Sequence, residues 1–297
     1  MINVVDNFCE FPSFIRRPMW RLWHHFLIRF DRDRMVNFMN YGFAPLNGDK
    51  PILLENEDEK NRYCIQLYDH IVKRVRLENK KVLEVGSGRG GGAHYIARYY
   101  KPETYVGMDI SSGVIDFCNK FYRANGLSFV EGRAEKLPFS AESFDAVVNV
   151  ESARCYSDIS TFFTEVHRIL KHDGHFLFAD MIETDKVEEI RNKLTDCGFI
   201  INHEQEITQN VARGLELDTN RREMLIKERI PGILKSSFKQ FAGTHGTKRY
   251  KSFSNGKFEY WNFVLTKDSR KSIRLVPPLM NIQEKPEYQS QYGKKSS

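Results

Sequence analysis

The sequence lacks any long hydrophobic run, which is the first limit on what the chain can be. None of its 297 residues belongs to a stretch of about 18 consecutive apolar residues, so no segment is expected to span a membrane. The opening residues, MINVVDNFCEFPSFIRRP, also lack the charged start and following apolar run of a secretory signal. We therefore expect a cytoplasmic protein.

Cysteine is scarce. The five cysteines are odd in number and widely spaced, and none belongs to a C-x-x-C pair: Cys9, Cys64, Cys118, Cys155 and Cys197. This pattern is typical of reduced thiols in a cytosolic protein. No cluster of histidine, cysteine and acidic residues has metal-ligand spacing, so we expect no bound metal.

The central part of the chain lacks an excess of positive charge. The net charge of +6 comes from the two ends, because residues 269–297 carry four more basic than acidic residues, residues 1–34 carry two more, and residues 35–268 are neutral. An enzyme acting on nucleic acid usually concentrates positive charge around its site. We therefore expect no nucleic-acid partner.

Short apolar segments alternate with helical patterns between residues 81 and 268, as in buried parallel strands joined by helices. The predicted strands cover residues 81–85, 104–110, 127–132, 144–150, 175–181, 199–207 and 258–268. This alternation predicts an α/β fold, in which a Rossmann-like, seven-stranded, mostly parallel sheet carries helices on both faces.

Three segments lie outside this alternation. Residues 1–80 are predicted to form an N-terminal helical cap, and residues 208–257 a helical insertion that ends in a Gly/Lys/Ser loop before the last strand. An insertion there falls beside the ligand edge of such a sheet, so we expect residues 208–257 and 35–80 to line and cover an acceptor pocket. Residues 269–297 contain Pro-Pro, charges and polar repeats and are predicted to be a disordered tail.

A glycine-rich segment, VLEVGSGRGGGAHYIA (82–97), follows the first predicted strand. The spacing of Gly86, Gly88 and Gly91 satisfies the dinucleotide fingerprint G-x-G-x-x-G. The spacing of Gly86, Gly88 and Gly90 equally satisfies the G-x-G-x-G loop of S-adenosylmethionine (SAM) methyltransferases. The glycines alone do not decide between the two ligands.

Two acidic residues near the loop favour SAM. Glu84 lies two residues before Gly86 in an apolar strand end, where a carboxylate would repel a pyrophosphate but suits a ligand with an ammonium group. Asp109 ends the second strand and fits the ribose hydroxyls of either cofactor. Together these residues favour SAM, and a nicotinamide-dependent dehydrogenase is the alternative.

These residues and two later segments resemble a class I SAM-dependent methyltransferase over about residues 81–181. The later segments are GRAEKLPFSAESFDAVVNVES (132–152) and FTEVHRILKHDGHFLFAD (163–180). The resemblance extends to the phthiotriol and phenolphthiotriol dimycocerosate O-methyltransferases in the segments NFMNYGF, NEDEKNRYCIQLYDHIV, VNVESARCYSD, NVARGL, FAGTHGT and YWNFVLTKD. It implies a methyltransferase domain over residues 81–268, SAM as cofactor and a hydroxyl on a long lipid as acceptor.

The resemblance also implies roles for individual residues at the strand ends. These are Gly86 and Gly88 beneath the methionine portion, Glu84 near its ammonium group, Asp109 at the ribose hydroxyls, Ile110 beside the adenine, Ala134 and Glu135 at the adenine edge, and Asn149 and Glu151 beside the transferred methyl group.

An alcohol acceptor must lose its proton, so a general base within hydrogen-bond reach would help. The resemblance implies a histidine in the loop after the fourth strand, where this chain has Arg154. An arginine stays protonated and is no base, although it could pair with Glu151 or bind a substrate carboxylate or phosphate. The candidate catalytic residues are Glu151, Asp180 and His245.

The sequence therefore predicts a SAM-dependent methyltransferase acting on a hydroxyl of a hydrophobic small molecule or lipid. Methylation of carbon in a sterol-like acceptor or of an amine is a second possibility, and a non-catalytic SAM-fold binding or scaffold protein is a third. A nucleic-acid amino-methyltransferase is disfavoured, because the [DNS]-P-P-[YF] sequence that it would want after the fourth strand is replaced by NVES.

A last segment, PMWRLWHHFLIRF (18–30), is amphipathic at helical spacing, with aromatic and apolar residues on one face and arginines and histidines on the other. Two interpretations stay open. The helix either caps the core, or it lies in a membrane interface and gives weak, salt-sensitive contact with anionic lipid.

Overall fold

A computed structural model describes residues 36–46 and 52–268. Within them the chain forms one seven-stranded sheet in the order β3-β2-β1-β4-β5-β7-β6. The strands are β1 (Lys81–Val85), β2 (Thr104–Asp109), β3 (Leu127–Glu131), β4 (Phe144–Val150), β5 (Leu170–Glu183), β6 (Phe199–Glu206) and β7 (Phe258–Lys267). β7 runs antiparallel to both of its neighbours, β5 and β6, and the other neighbouring strands in the sheet pair in parallel. The predicted α/β fold with a mostly parallel sheet is thus confirmed.

Eight α-helices lie in the described ranges. They are α1 (Arg62–Val72), α2 (Gly91–Tyr99), α3 (Ser112–Phe121), α4 (Ile159–Ile169), α5 (Val187–Asp196), α6 (Thr208–Arg229), α7 (Lys235–Phe241) and α8 (Lys248–Ser254). The N-terminus of α4 is capped by Asp158, whose side chain accepts from the backbone N–H groups of Ser160 and Thr161.

The sheet separates two apolar cores, because side chains alternate between the faces of a strand. On β1, Val82 packs into the core formed with α1, α2, α3 and α6. Leu83 and Val85, on the opposite face of the strand, pack into the core formed with α4 and α5. Glu84 therefore faces α1, on the same side as Val82. The predicted helices on both faces are present.

The N-terminal segment departs from the prediction of helix. Residues 36–46 and 52–58 form no helix, and the α-helix of this region begins at Arg62. Residues 36–46, which we term the strap, form long-range backbone hydrogen bonds instead: Phe43 N–H donates to the Tyr63 carbonyl, and Ala44 N–H to the Asn210 carbonyl. The helical prediction was wrong for both segments, and in the strap the reason is that tertiary bonds take backbone groups that a helix would use.

The insertion between β6 and β7 is more helical than predicted. Its long helix α6 and short helix α7 agree with the helical pattern, but the expected Gly/Lys/Ser loop contains α8. The Thr247 side chain caps α8 by accepting from Tyr250 N–H, and Phe253 of α8 is buried. A capped turn with a buried aromatic explains why the glycine-rich loop prediction was wrong for residues 248–254.

Some predictions fall outside the described residues, namely the amphipathic segment 18–30, the tail 269–297 and Cys9. Within the described ranges no helix is both long enough and apolar enough to cross a membrane. The described cysteines, Cys64, Cys118, Cys155 and Cys197, form no disulfide bond. The cytoplasmic location stays a prediction.

Candidate active site

The glycine loop connects β1 to α2 at the carboxyl edge of the sheet. Gly86, Gly88 and Gly90 have backbone φ angles of 79°, 50° and 78°, which residues other than glycine rarely adopt. A Cβ on Gly86 would lie 2.3 Å from the Ser152 hydroxyl oxygen. The backbone conformation of the loop and the close approach of Ser152 therefore require glycine independently of a ligand.

A deep cleft opens beside this loop, with an empty volume of about 1130 Å³ that includes its solvent-filled mouth. Its walls come from the strap, α1, the glycine loop, the ends of β2 and β4, and α7. The apolar and aromatic side chains among them are Phe38, Met39, Tyr68, Val85, Met108, Ile110, Ala134, Val150, Tyr156 and Phe241. Such a mixture of apolar walls and a few polar groups is typical of a small-molecule site.

Asp109 lies in the cleft wall at the end of β2. One carboxylate oxygen accepts from Gly88 N–H at 3.0 Å, and the other accepts from Ser111 N–H at 3.0 Å. A carboxylate has about four acceptor positions, so this side chain can also accept from two hydroxyl groups. The backbone bonds fix its orientation toward the loop.

The cleft fits the chemistry of SAM. Gly86 and Gly88 leave the loop without side chains, and Asp109 offers spare acceptors to a ribose. Ile110 and Ala134 supply apolar wall for a flat ring. Glu135 also lies in the wall, where its Oε1 accepts from Ser157 N–H at 3.0 Å. The structure thus brings these predicted cofactor contacts together in one place.

Glu84 is placed differently from the prediction. Its side chain is fully buried outside the cleft lining, where it accepts from the hydroxyls of Tyr68 at 2.8 Å and Tyr105 at 3.0 Å. Burial raises the pKa of this carboxyl to about 7. In this conformation Glu84 reaches a ligand only through the Tyr68 ring, which does line the cleft. Direct contact with an ammonium group is not supported by this geometry.

Asn149 also lies behind the cleft wall instead of in it. Its amide nitrogen donates to the Val85 carbonyl and to Ser152 Oγ, both at 2.8 Å, and to the Tyr156 hydroxyl at 3.0 Å. Ser152 and Tyr156 do line the cleft. In this geometry Asn149 supports two side chains of the cleft wall, and its predicted contact with a methyl group stays a prediction.

Glu151 lies in the cleft wall with unusual geometry. Its backbone φ of 52° is in the left-handed region, which strains a non-glycine residue. Its Oε1 accepts from Tyr41 N–H at 2.8 Å and from the Tyr260 hydroxyl at 3.1 Å. Its Oε2 is buried and, among the described residues, receives no hydrogen bond. Burial raises the pKa of this carboxyl to about 7, against the lowering effect of Arg154.

Arg154 connects Glu151 with Asp180. Its guanidinium is ion-paired with the Asp180 carboxylate, and it lies 3.7 Å from Glu151 Oε2. Asp180 also accepts from the backbone N–H groups of Arg154 at 3.1 Å and Met181 at 2.8 Å. Asp180 is buried outside the cleft lining and fully engaged, so its geometry is that of an anchor for Arg154.

His245 is not part of the cleft. It is exposed in the turn between α7 and α8, where its ring lies 4.8 Å from the Tyr250 ring and its backbone N–H donates to the Thr219 hydroxyl. The predicted absence of a metal stays a prediction. Glu55, Glu57 and Asp58 do lie close enough together to hold an ion, but all three are ion-paired with Arg98.

The sequence analysis missed Arg222, a residue of α6 whose side chain is hydrogen-bonded to the backbone of the strap. Its buried guanidinium donates to the carbonyls of Asn40 and Tyr41, each at 3.0 Å, and to the Ala242 carbonyl at 3.1 Å. Asp218, one turn earlier on α6, accepts from its Nε at 2.8 Å. Arg222 thereby positions Tyr41, whose N–H contacts Glu151. No sequence motif indicates this contact, because the partners are backbone carbonyls.

Replacing Arg222 with methionine is expected to raise the acceptor KM about tenfold while the SAM dissociation constant changes little, because Arg222 bonds to Asn40 and Tyr41, beside Glu151, and not to residues 37–39, which contact the glycine loop. Steady-state kinetics and calorimetry measure the two quantities. Arg222→Lys should recover part of the loss, and Arg213→Met, at an exposed ion pair on α6, is the matched control. An equal loss of SAM affinity and acceptor affinity would show that Arg222 only supports the fold.

Comparison with known proteins identifies the fold and its family. A methyltransferase-domain model matches residues 83–178. The chain is 33% identical over 254 residues to the phthiotriol/phenolphthiotriol dimycocerosates methyltransferase of Mycobacterium leprae, covering 85% of this chain and 93% of that protein. It is 35% identical over 249 residues to the fatty-acid O-methyltransferase of Mycolicibacterium smegmatis, covering 83% and 89%.

Among solved structures, that of the [4+2]-cyclase SpnF superposes with a TM-score of 0.64 at 16% identity, covering 86% of this chain and 97% of that one. This likeness shows the fold alone. The sequence relatives carry the assignment further, and they exclude the nicotinamide-dependent alternative. The chain belongs to the class I SAM-dependent methyltransferases, in the branch of the phthiotriol dimycocerosate methyltransferases and the fatty-acid O-methyltransferase.

Proposed function

We propose that this chain transfers a methyl group from SAM to a hydroxyl oxygen of a hydrophobic small molecule or lipid, with Glu151 as the general base. The observation that carries the proposal is the position of Glu151. Glu151 lines a cleft whose walls are largely apolar, and its buried Oε2 receives no hydrogen bond from the described residues. The names of the relatives, which act on phthiotriol lipids or fatty acids, support a lipid acceptor.

The chain's own residues supply alignment and proton removal. Bound SAM supplies an electrophilic methyl group whose leaving group is a neutral thioether. Glu151 accepts the hydroxyl proton as the new O–CH₃ bond forms and the S–CH₃ bond breaks, which leaves a neutral carboxyl. Tyr260 and Tyr41 N–H keep its Oε1 engaged, so the proton is accepted at Oε2. The apolar walls exclude water from the reacting atoms.

The insertion between β6 and β7 is proposed to cover the acceptor. Phe241 at the end of α7 lines the cleft, and Arg222 of α6 bonds to the residue that follows it. The strap contributes residues 37–40 to the same cleft. This arrangement supports the expectation that both segments border the acceptor, with the sheet edge holding the cofactor.

A carboxylic acid acceptor is the second candidate, favoured by Arg154 in the cleft wall and by the fatty-acid relative. Its geometry is less favourable, because the Arg154 charge is already shared by Asp180 and Glu151. A carboxylate acceptor would also lie near an ionised Glu151, and like charges repel. A neutral hydroxyl avoids this repulsion.

The test is production of S-adenosylhomocysteine with matched long-chain acceptors that end in a hydroxyl, a carboxyl or an amine. We expect turnover with the alcohol. Turnover with only the fatty acid or only the amine would assign the second candidate or N-methylation. Binding of SAM without turnover on any acceptor would favour a non-catalytic protein, which the fold permits, since fold alone does not fix activity.

A further inference from the structure

Residues 35–268 have no net charge, but their basic and acidic residues are unevenly distributed along the chain. Residues 229–258 contain seven basic residues and no aspartate or glutamate: Arg229, Lys235, Lys239, Lys248, Arg249, Lys251 and Lys257. The rest of residues 35–268 therefore carries seven more acidic than basic residues. Charges on an ordinary solvated surface are mixed in sign, so a basic segment of this length is informative. We term residues 229–258 the basic segment.

The basic segment lies at the edge of the sheet where the cleft opens. Its Phe241 lines the cleft. Its last turn is fixed beside the carboxyl end of β5, where Thr184 N–H donates to the Lys257 carbonyl and the Thr184 hydroxyl donates to the Gly256 carbonyl. Its helix α8 packs through Phe253 against the Tyr41 ring of the strap, with the ring centroids 5.6 Å apart.

Several of these charges face solvent. Lys248, Lys251 and Lys257 are exposed, and none of them forms an ion pair with a carboxylate in the described ranges. The nearby acids have other partners: Glu223 pairs with Lys239, Glu216 with Arg213, and Glu183 with Lys186. The three exposed lysines are therefore available to an external anionic surface.

We propose that the basic segment docks the protein on an anionic lipid surface, with the cleft facing the membrane. The inference rests on the proposed hydrophobic acceptor, because such an acceptor must leave a lipid phase to enter the cleft. Lysines near a negatively charged leaflet are attracted to it, and salt weakens the attraction within a Debye length. A lipid surface fits better than a nucleic acid, because the segment that carries the lysines also contributes Phe241 to the largely apolar cleft.

The experiment measures co-sedimentation of the full chain with phosphatidylcholine vesicles, prepared with and without phosphatidylglycerol. We expect binding only to the anionic vesicles and a steep loss of binding as salt is raised. The triple variant Lys248→Glu/Lys251→Glu/Lys257→Glu should bind roughly tenfold more weakly or worse. The matched control reverses three exposed lysines away from the cleft, at positions 73, 80 and 120.

Three outcomes overturn the docking surface. These are unchanged vesicle binding by the triple variant, an equal loss in the control variant, or tighter binding of the protein to duplex DNA than to anionic vesicles. Methyl transfer to a detergent-dispersed acceptor is assayed in parallel. The triple variant should retain that activity, so failure of docking and failure of the proposed chemistry give different results.

Discussion

Replacing Glu151 with glutamine is expected to lower kcat/KM for a hydroxyl acceptor at least about 100-fold at pH 8, because general-base catalysis contributes roughly 10² to 10⁴ in rate. Glutamine keeps the shape of the side chain and an oxygen for the Tyr41 and Tyr260 donors, but it cannot take up a proton. The measurement is S-adenosylhomocysteine formation at saturating SAM. Binding of SAM should be nearly unchanged, since Asp109 and the glycine loop are the residues predicted to hold the cofactor.

The pH profile sharpens this expectation. Burial raises the pKa of Glu151 to about 7, so the active carboxylate is the minor form below that pH. The wild-type rate should therefore rise with pH below about 7 and level off above it, and the variant should lack this inflection. The charged and titratable groups around Glu151 are Arg154, Asp180, Tyr260, Tyr68 and Cys64. Burial raises the pKa of both tyrosines and of the thiol, which keeps them neutral in this range.

Glu188→Gln on the exposed face of α5 is the matched control, because it removes a carboxylate far from the cleft. It should reproduce the wild-type rate and pH profile. If Glu151→Gln retains the full rate with the alcohol and the same inflection, Glu151 is not the base. If the alcohol is inert but a fatty acid is methylated equally by both proteins, the acceptor is a carboxylate, which needs no base.

The sheet was predictable because its signals are local. Most strands are short apolar runs bounded by turn residues, so all seven were found from the sequence, although β5 (Leu170–Glu183) extends beyond the predicted residues 175–181 at both ends. The position of the Glu84 side chain was less predictable from the sequence. Alternation on β1 puts it on the same face as Val82, but its partner Tyr68 comes from a different element. The sequence therefore identifies the acid, while the contact that turns it away from the cleft depends on packing.

The strap and the Arg222 contact were not predictable from local pattern. The strap has no periodicity of its own, and its conformation depends on bonds from residues more than a hundred positions away, such as Arg222 and Asn210. The same holds for the catalytic candidates. Glu151, Asp180 and His245 were all candidates from the sequence, and their positions relative to Arg154 and the cleft separate them.

Replacing Asp109 with alanine is expected to weaken SAM binding at least about 100-fold, measured by titration calorimetry. The loss reflects two charge-assisted hydrogen bonds to the ribose, each worth roughly 1.5–3 kcal/mol. The exposed Asp116→Ala on α3 is the control for loss of one negative charge, and it should bind SAM normally. Unchanged affinity in a folded Asp109→Ala protein would remove Asp109 from the cofactor site.

Asp109 also accepts from Gly88 N–H and Ser111 N–H, so its removal could act through a loosened loop instead of the ribose. A SAM analogue without ribose hydroxyls separates the two causes. If Asp109 binds the hydroxyls, the wild type should bind the analogue as weakly as the variant binds SAM, and combining the two changes should cost little more. If the variant acts through the loop, both losses should add. Additive losses would thus keep Asp109 as a support of the glycine loop and refute its contact with the cofactor.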